Sequence, residues 1–195
     1  MGRDAILKSI KNNKPTLIPS PEINLESFEE EIDVLTAFKE KVALVGGTII
    51  ELDSVKNIDT KIKSLYPNIS KIISCVDESQ LGTILISEKT DPHKLESIEL
   101  AIVKGELGVA ENGAVWISEN DFPIRVLPFI TNDLILILNK KNICSNLHEA
   151  YKLIGKRKRT FGLFISGPSK TADIEQCLVI GAQGAMSLTI LLIDN

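Results

Sequence analysis

Residues 134–138 form an uninterrupted apolar block, Leu-Ile-Leu-Ile-Leu, with polar residues on both sides. A run this short, built of branched side chains, offers no face to water. It reads as a β-strand buried on both sides, which requires a covering layer on each face. Shorter apolar strands are expected at 48–52, 71–75, 100–103, 107–110, 114–117, 161–165 and 188–193. Between them lie segments of helical period. Residues 4–12 carry Ile6, Leu7 and Ile10 at helical spacing and end before Pro15. Ser27 and Glu30 have the spacing of a capping box. They open an expected helix with Phe28, Ile32, Leu35, Phe38, Val42 and Val45 on one face, stopped by Gly46-Gly47. Further helices are expected near 55–65, at 146–154 and at 172–179. Asn112-Gly113 marks a tight turn between strands.

Alternating helices and apolar strands point to an α/β layered sheet, mixed because hairpins sit in the middle of the chain. Residues 17–23 hold Pro19 and Pro21 and read as an extended connector. The expected organisation is a helix and connector over 1–23, followed by a single domain over 24–195.

Composition removes several functional classes. The 195 residues are 44% hydrophobic and 25% charged, which is enough for one well-buried core. No apolar run approaches the ~18–20 residues that cross a bilayer. The opening residues mix charges with apolar side chains, so no signal peptide is expected, and the chain reads as cytoplasmic. A net charge of −4 gives no reason to expect nucleic acid or an anionic membrane as partner.

Cys75, Cys144 and Cys177 are far apart and odd in number, so neither a disulfide framework nor a C-x-x-C cluster or zinc site is expected. They read as buried, inert thiols. His93 and His148 stand among residues that suggest neither a triad nor a metal site. Acid–base chemistry then falls to carboxylates, lysine or hydroxyls.

Three segments carry the polar chemistry. Ser166-Gly167-Pro168-Ser169-Lys170-Thr171 follows an apolar strand and precedes the expected helix with Asp173 and Glu175 in its first turns. Hydroxyls, free amides and one ammonium make it a candidate cradle for an anion. It is not a Walker A loop, and Thr171 serves equally as a helix N-cap. The second segment is Glu111-Asn112-Gly113, where Glu111 is either an exposed turn residue or the partner of a cation, with Arg125 the candidate. The third is the glycine-spaced loop from Gly181 to Ser187, containing Gln183 and Gly184. The run Lys156-Arg157-Lys158-Arg159 reads as a solvated loop, and Trp116 as a half-buried strand residue.

Together, 108–113, 125–128, 166–175, 178–184 and the last strand resemble the LUD-domain family, and within it the lactate-utilisation protein C branch. The resemblance is dense from about residue 99 to 194 and loose before that. It implies a NagB/RpiA/CoA-transferase-like layered α/β/α fold. It also implies a place in bacterial oxidation of L-lactate to pyruvate, as the cluster-free component beside iron–sulfur partner proteins. Many relatives carry histidine where Gln183 and Asp133 stand here.

The site implied by the resemblance is a small-anion pocket. In it Arg125, Ser166, Gly167, Ser169, Lys170, Thr171, Gln183 and Gly184 bind a small carboxylate, and Glu111 and Asp173 orient it or accept a proton. No metal or resident cofactor is assigned. Two alternatives stand beside this reading: an acyl or CoA transferase with Glu111 as nucleophile, and a non-catalytic scaffold for the iron–sulfur partners.

Overall fold

The apolar block at 134–138 is the core of the middle strand of a five-stranded parallel sheet. The computed structural model describes residues 2–22, 24, 32–159, 161–172 and 178–194. Its helices are α1 (Arg3–Asn12), α2 (Val34–Leu44), α3 (Ile58–Leu65), α4 (Leu127–Ile130) and α5 (Leu147–Ile154). The first six strands are β1 (Thr48–Leu52), β2 (Ile72–Ser74), β3 (Leu100–Gly105), β4 (Leu107–Val109), β5 (Ala114–Ser118) and β6 (Asp133–Asn139). After them come β7 (Ile143–Cys144), β8 (Gly162–Ile165), β9 (Lys170–Ala172), β10 (Leu178–Ile180) and β11 (Ser187–Ile193). Residues 1–31 and 32–195 form two separate compact units. The first holds α1, where Ile6, Leu7 and Ile10 are exposed, and described residues without regular secondary structure after it.

In the second unit the parallel sheet runs β1-β11-β6-β3-β2. Side chains alternate across it as a pleated strand dictates. On one face Val103, Leu134, Leu136 and Ile190 pack with Phe38 and Val42 of α2 and with Val115 and Ile117 of β5. On the other, Ile102, Ile135, Ile137 and Leu191 pack with Ile58 and Ile62 of α3. Leu136 and Ile135 are both fully buried, so the central strand is covered on each side.

The α/β class expected from the sequence holds, and the strands divide differently from one mixed sheet. The central hairpins form a separate four-stranded sheet, β7-β4-β5-β8. Its inner face joins the first core, and its outer face, with Leu107, Val109 and Trp116, packs with Ala150 and Ile154 of α5. The layers are therefore α3, parallel sheet, α2 with the second sheet, and α5. The break between β3 and β4 follows from Gly105, where a Cβ would lie 2.7 Å from a Val115 methyl. Only glycine lets the chain pass from one sheet to the next at that separation.

Two expected helices differ. The capping-box residues Ser27 and Glu30 lie outside the described residues. The helix that carries Phe38 and Val42 begins at Val34, where the Asp33 carboxylate accepts from the Leu35 and Thr36 amides at 3.1 and 3.4 Å. Such a cap is worth about 1 kcal/mol. In place of the helix at 172–179 stand β9 and β10, paired antiparallel with Thr171 opposite Val179. The Ser169 carbonyl accepts from the Gly181 amide at 3.0 Å, and Gly181 has φ +82°. Closure across the base of the hairpin, with β-branched Thr171, Val179 and Ile180 in its strands, overrides the helical pattern. Asp173, Glu175 and Cys177 lie outside the described residues. Trp116 is only 5% exposed, more buried than the half-buried strand residue expected.

Burial pushes the Cys75 and Cys144 thiols up to about 11, so both are overwhelmingly protonated at neutral pH and match the inert role expected of them. Burial also raises the Asp121 carboxyl above its ordinary value, and one of its oxygens is enclosed without a hydrogen-bond partner.

Two predictions follow from this packing. Gly113 has φ +66°, and a Cβ there would lie 2.7 Å from the Val42 nitrogen of α2. Gly113→Ala is expected to lose roughly 2–4 kcal/mol through left-handed strain and overpacking, measured by urea unfolding; a loss within error of zero contradicts the close approach. Because the folded protein holds the Asp121 proton more tightly than the unfolded chain, the charge opposes folding above the raised value and the opposition disappears as pH falls through it. Asp121→Asn is thus expected to match or exceed the parent in stability at pH 7, with its advantage shrinking towards pH 4. An advantage that grows on acidification contradicts the burial.

Candidate functional site

The loop after β8 is shaped by contact with the end of α2. Gly167 has φ +72°, and a Cβ there would stand 2.3 Å from the Val45 carbonyl oxygen, so the position admits only glycine. The Lys170 ammonium donates to the same Val45 carbonyl. That oxygen lies at the C-terminal end of α2, where a cation complements both the unpaired carbonyls and the negative end of the helix dipole. Ser169 is fixed from both sides, its amide donating to the Ala185 carbonyl at 2.8 Å and its carbonyl accepting from Gly181. The loop from Gly181 to Ser187 comes close for the same reason: a Cβ at Gly184 would lie 3.1 Å from the Ser169 Cβ.

These two loops enclose a cavity of about 300 Å³. Its polar wall is Ser166, Gly167, Ser169, Lys170, Gln183 and Gly184, six of the residues expected to bind a ligand. Its apolar wall includes Phe129, Leu134, Leu163, Ile165 and Leu188. No acidic side chain is among the described lining residues. The cavity thus has one ammonium, two hydroxyls and one amide set on a hydrophobic floor, an arrangement suited to an anionic head on a less polar body.

Its position differs from the carboxyl-end crevice typical of open α/β sheets. β8 belongs to the second sheet, and Leu134 and Leu188 mark the amino ends of β6 and β11. The apolar floor had no signal of its own in the sequence, because a strand residue facing a cavity looks like one facing the core.

The remaining expected site residues fall elsewhere. The turn containing Glu111 adjoins the loop, since Ser166 Oγ donates to the Asn112 carbonyl at 2.8 Å. The Glu111 carboxylate itself accepts from the Leu147 amide at 2.9 Å, in the first turn of α5, and it is not among the cavity-lining residues. The expected pairing of Glu111 with Arg125 is not found. Arg125 instead donates to Glu119 at 2.7 Å and lies 5.2 Å from the centre of the Phe161 ring. Glu119 in turn accepts from the Phe161 amide at 3.0 Å. Carboxylate and guanidinium together fasten the entry of β8, and the pairing of β5 with β8 brings them there. Thr171 lies in β9 opposite Val179 and caps no helix. Asp133 accepts from the Ser187 hydroxyl.

No group of three or more His, Cys, Asp or Glu among the described residues is arranged to hold a metal ion, and no helix among them is long and apolar enough to cross a membrane.

The family model for the LUD domain matches residues 87–193, which include both cavity loops. A lactate utilization protein C from Bacillus pumilus is 29% identical over 126 residues, 58% of this chain and 52% of that protein. The chain therefore spans about half the length of that relative. A lactate utilization protein C from Anoxybacillus flavithermus is 23% identical over 211 aligned positions, covering 100% of this chain and 94% of that one. Among solved structures, a DUF162 family protein from Deinococcus radiodurans superposes with a TM-score of 0.64 at 12% identity. That superposition covers 83% of this chain and 96% of the other, so the two share a fold. With more than half of its length inside the domain model, this chain belongs to the LUD-domain family.

Proposed function

We propose that this chain acts in L-lactate utilisation, as a cluster-free component that binds a small carboxylate beside iron–sulfur partner proteins. The relatives named lactate utilization protein C support the pathway. The observation that carries the site is the convergence of Ser166, Ser169, Lys170 and Gln183 on one cavity without an acidic side chain among its described lining residues. In this reading Lys170 holds the carboxylate, the Ser169 hydroxyl and the Gln183 amide hydrogen-bond to it, and the apolar floor takes the rest, while Ser166, whose hydroxyl donates to the Asn112 carbonyl, shapes the wall. A volume of about 300 Å³ lies at the low end of the ordinary small-molecule range of about 300–1,000 Å³.

Lys170 already gives one N–H to Val45, and an ammonium has three. The ligand therefore shares the cation with the α2 cap and does not displace it. The acyl-transfer reading draws no support from Glu111, whose carboxylate is occupied in the first turn of α5. Asp173, outside the described residues, stays in the proposal as a group that orients the ligand or accepts a proton.

A strain lacking this gene is expected to grow poorly on L-lactate and to recover with the parent gene. Gln183→Ala and Ser169→Ala proteins, made at parental levels, should recover less. For the purified protein, L-lactate or pyruvate at 100 times its dissociation constant should add about 2.7 kcal/mol of stability, and Lys170→Gln should remove that gain. Unimpaired growth of the deletion strain, with no paralogue present, overturns the pathway assignment. Ligand stabilisation that survives Lys170→Gln overturns the site.

A further inference from the structure

Between the segment after β2 and the turn after β5 lies an open groove of about 370 Å³. Its apolar wall is Ile84, Leu85, Ile86, Phe122 and Pro123. Leu85 is 95% exposed, an apolar side chain left almost wholly in water. Every charged side chain among the described lining residues is a carboxylate, from Glu88, Glu119 or Asp121. Arg125 engages Glu119, whereas Glu88 is exposed and has no ion pair among the described residues.

The first compact unit presents the converse surface. No residue of α1 is buried. Ile6, Leu7 and Ile10 form one stripe along it, because positions three and four apart share a helix face. Arg3 stands one turn before Ile6 and Leu7, and Lys11 one turn after Leu7, so cations bracket the stripe. Residues 2–14 carry Arg3, Lys8, Lys11 and Lys14 against the single carboxylate of Asp4, in a chain whose net charge is −4. No ion pair among the described residues engages any of these cations.

We propose that α1 of one chain docks in this groove on a second copy, which returns its own α1, so that the two molecules exchange arms. The apolar stripe covers Leu85 and the wall beside it, and the cations at its ends meet the carboxylates led by Glu88. Laying a helix in a groove through anchors three and four apart is a recurring mode of docking. Opposite charge fixes how the helix lies and rejects like-charged surfaces.

The chain between Asn12 and Val34 is twenty-one residues long. At about 3.3 Å per residue it reaches at most roughly 70 Å, enough to cross to a neighbouring molecule. Pro15, Pro19 and Pro21 stiffen it and favour reaching out over folding back. Reciprocity supplies the area. A specific interface buries roughly 1,000 Å² or more, and an exchanged pair covers two stripes and two grooves at once. The groove shares no lining residue with the Lys170 cavity, so the interface does not rest on the ligand-binding reading.

Sedimentation of the full chain over a concentration series is expected to show a reversible monomer–dimer equilibrium that added salt weakens. Ile6→Asp with Ile10→Asp disables the arm, and Leu85→Asp disables the groove. Each should weaken dimerisation by about tenfold or more. All three side chains are exposed, so far-UV circular dichroism should stay parental. Mixed together, the arm variant and the groove variant should pair again, since the intact arm of one meets the intact groove of the other. Glu88→Lys should weaken association without touching either apolar surface. Overturning results are a parental chain that stays monomeric up to its solubility limit, a dimer indifferent to the arm and groove variants, or a mixture of the two that fails to pair. An arm held by its own chain or by a different protein gives the first of these.

Discussion

Strand β6 has to be buried on both faces, and the architecture is an answer to that demand. Its alternate side chains, Leu134, Leu136 and Leu138 against Ile135 and Ile137, feed two different cores. Parallel neighbours on each side satisfy its backbone, because a strand without solvent on either face has no other partners for its amides and carbonyls. One face is closed economically by the single helix α3. The other is wider than α2 can cover, and the second sheet completes it. That sheet then has an outer face to bury, and α5 closes it.

The candidate site is a by-product of how the second sheet is fastened to the first. Two turns dock on the end of α2, whose own following turn meets the second of them. The turn at Gly113 meets the Val42 backbone, Gly167 meets the Val45 carbonyl, and a Cβ at Gly46 would lie 3.4 Å from the Lys170 ammonium. Two of these approaches are too close for any side chain, which is why glycine stands at turns that bear no resemblance to one another in sequence. Lys170 is therefore a cap for α2 as well as a cation in the cavity wall. A ligand carboxylate placed there also neutralises a charge that the helix end uses, so occupancy and the order of the α2 terminus are linked.

Most strands and helices were legible because each has its own apolar period. The stretch 48–52 is β1 unchanged, and the extended block at 134–138 sits inside β6. The polar half of the cavity was legible too, since glycines and hydroxyls gathered after a strand have few purely structural uses. What escaped depends on partners far along the chain. Residues 172–179 have an acceptable helical pattern, and the closure at Ser169 and Gly181 holds Lys170–Ala172 and Leu178–Ile180 as strands. Glu119 stands six residues before Arg125, at no helical spacing. It takes that guanidinium because the β5–β8 register brings Phe161 beside both. Local pattern is silent on such pairings, because register is a property of two segments together.

The same distinction separates the Lys170 cavity from the packing around Trp116. The cavity's loops have their backbone groups satisfied, and Ser166 and Lys170 also hold the Asn112 and Val45 carbonyls, so a ligand there shares the ammonium with the fold. Trp116 is set by register: Phe164 stands opposite it across β5 and β8 with the ring centres 4.8 Å apart, and a Cβ at Gly162 would lie 2.2 Å from Cζ2 of the indole. The glycine at 162 therefore answers to a ring that lies forty-six residues earlier in the chain, and no local pattern around it could announce that.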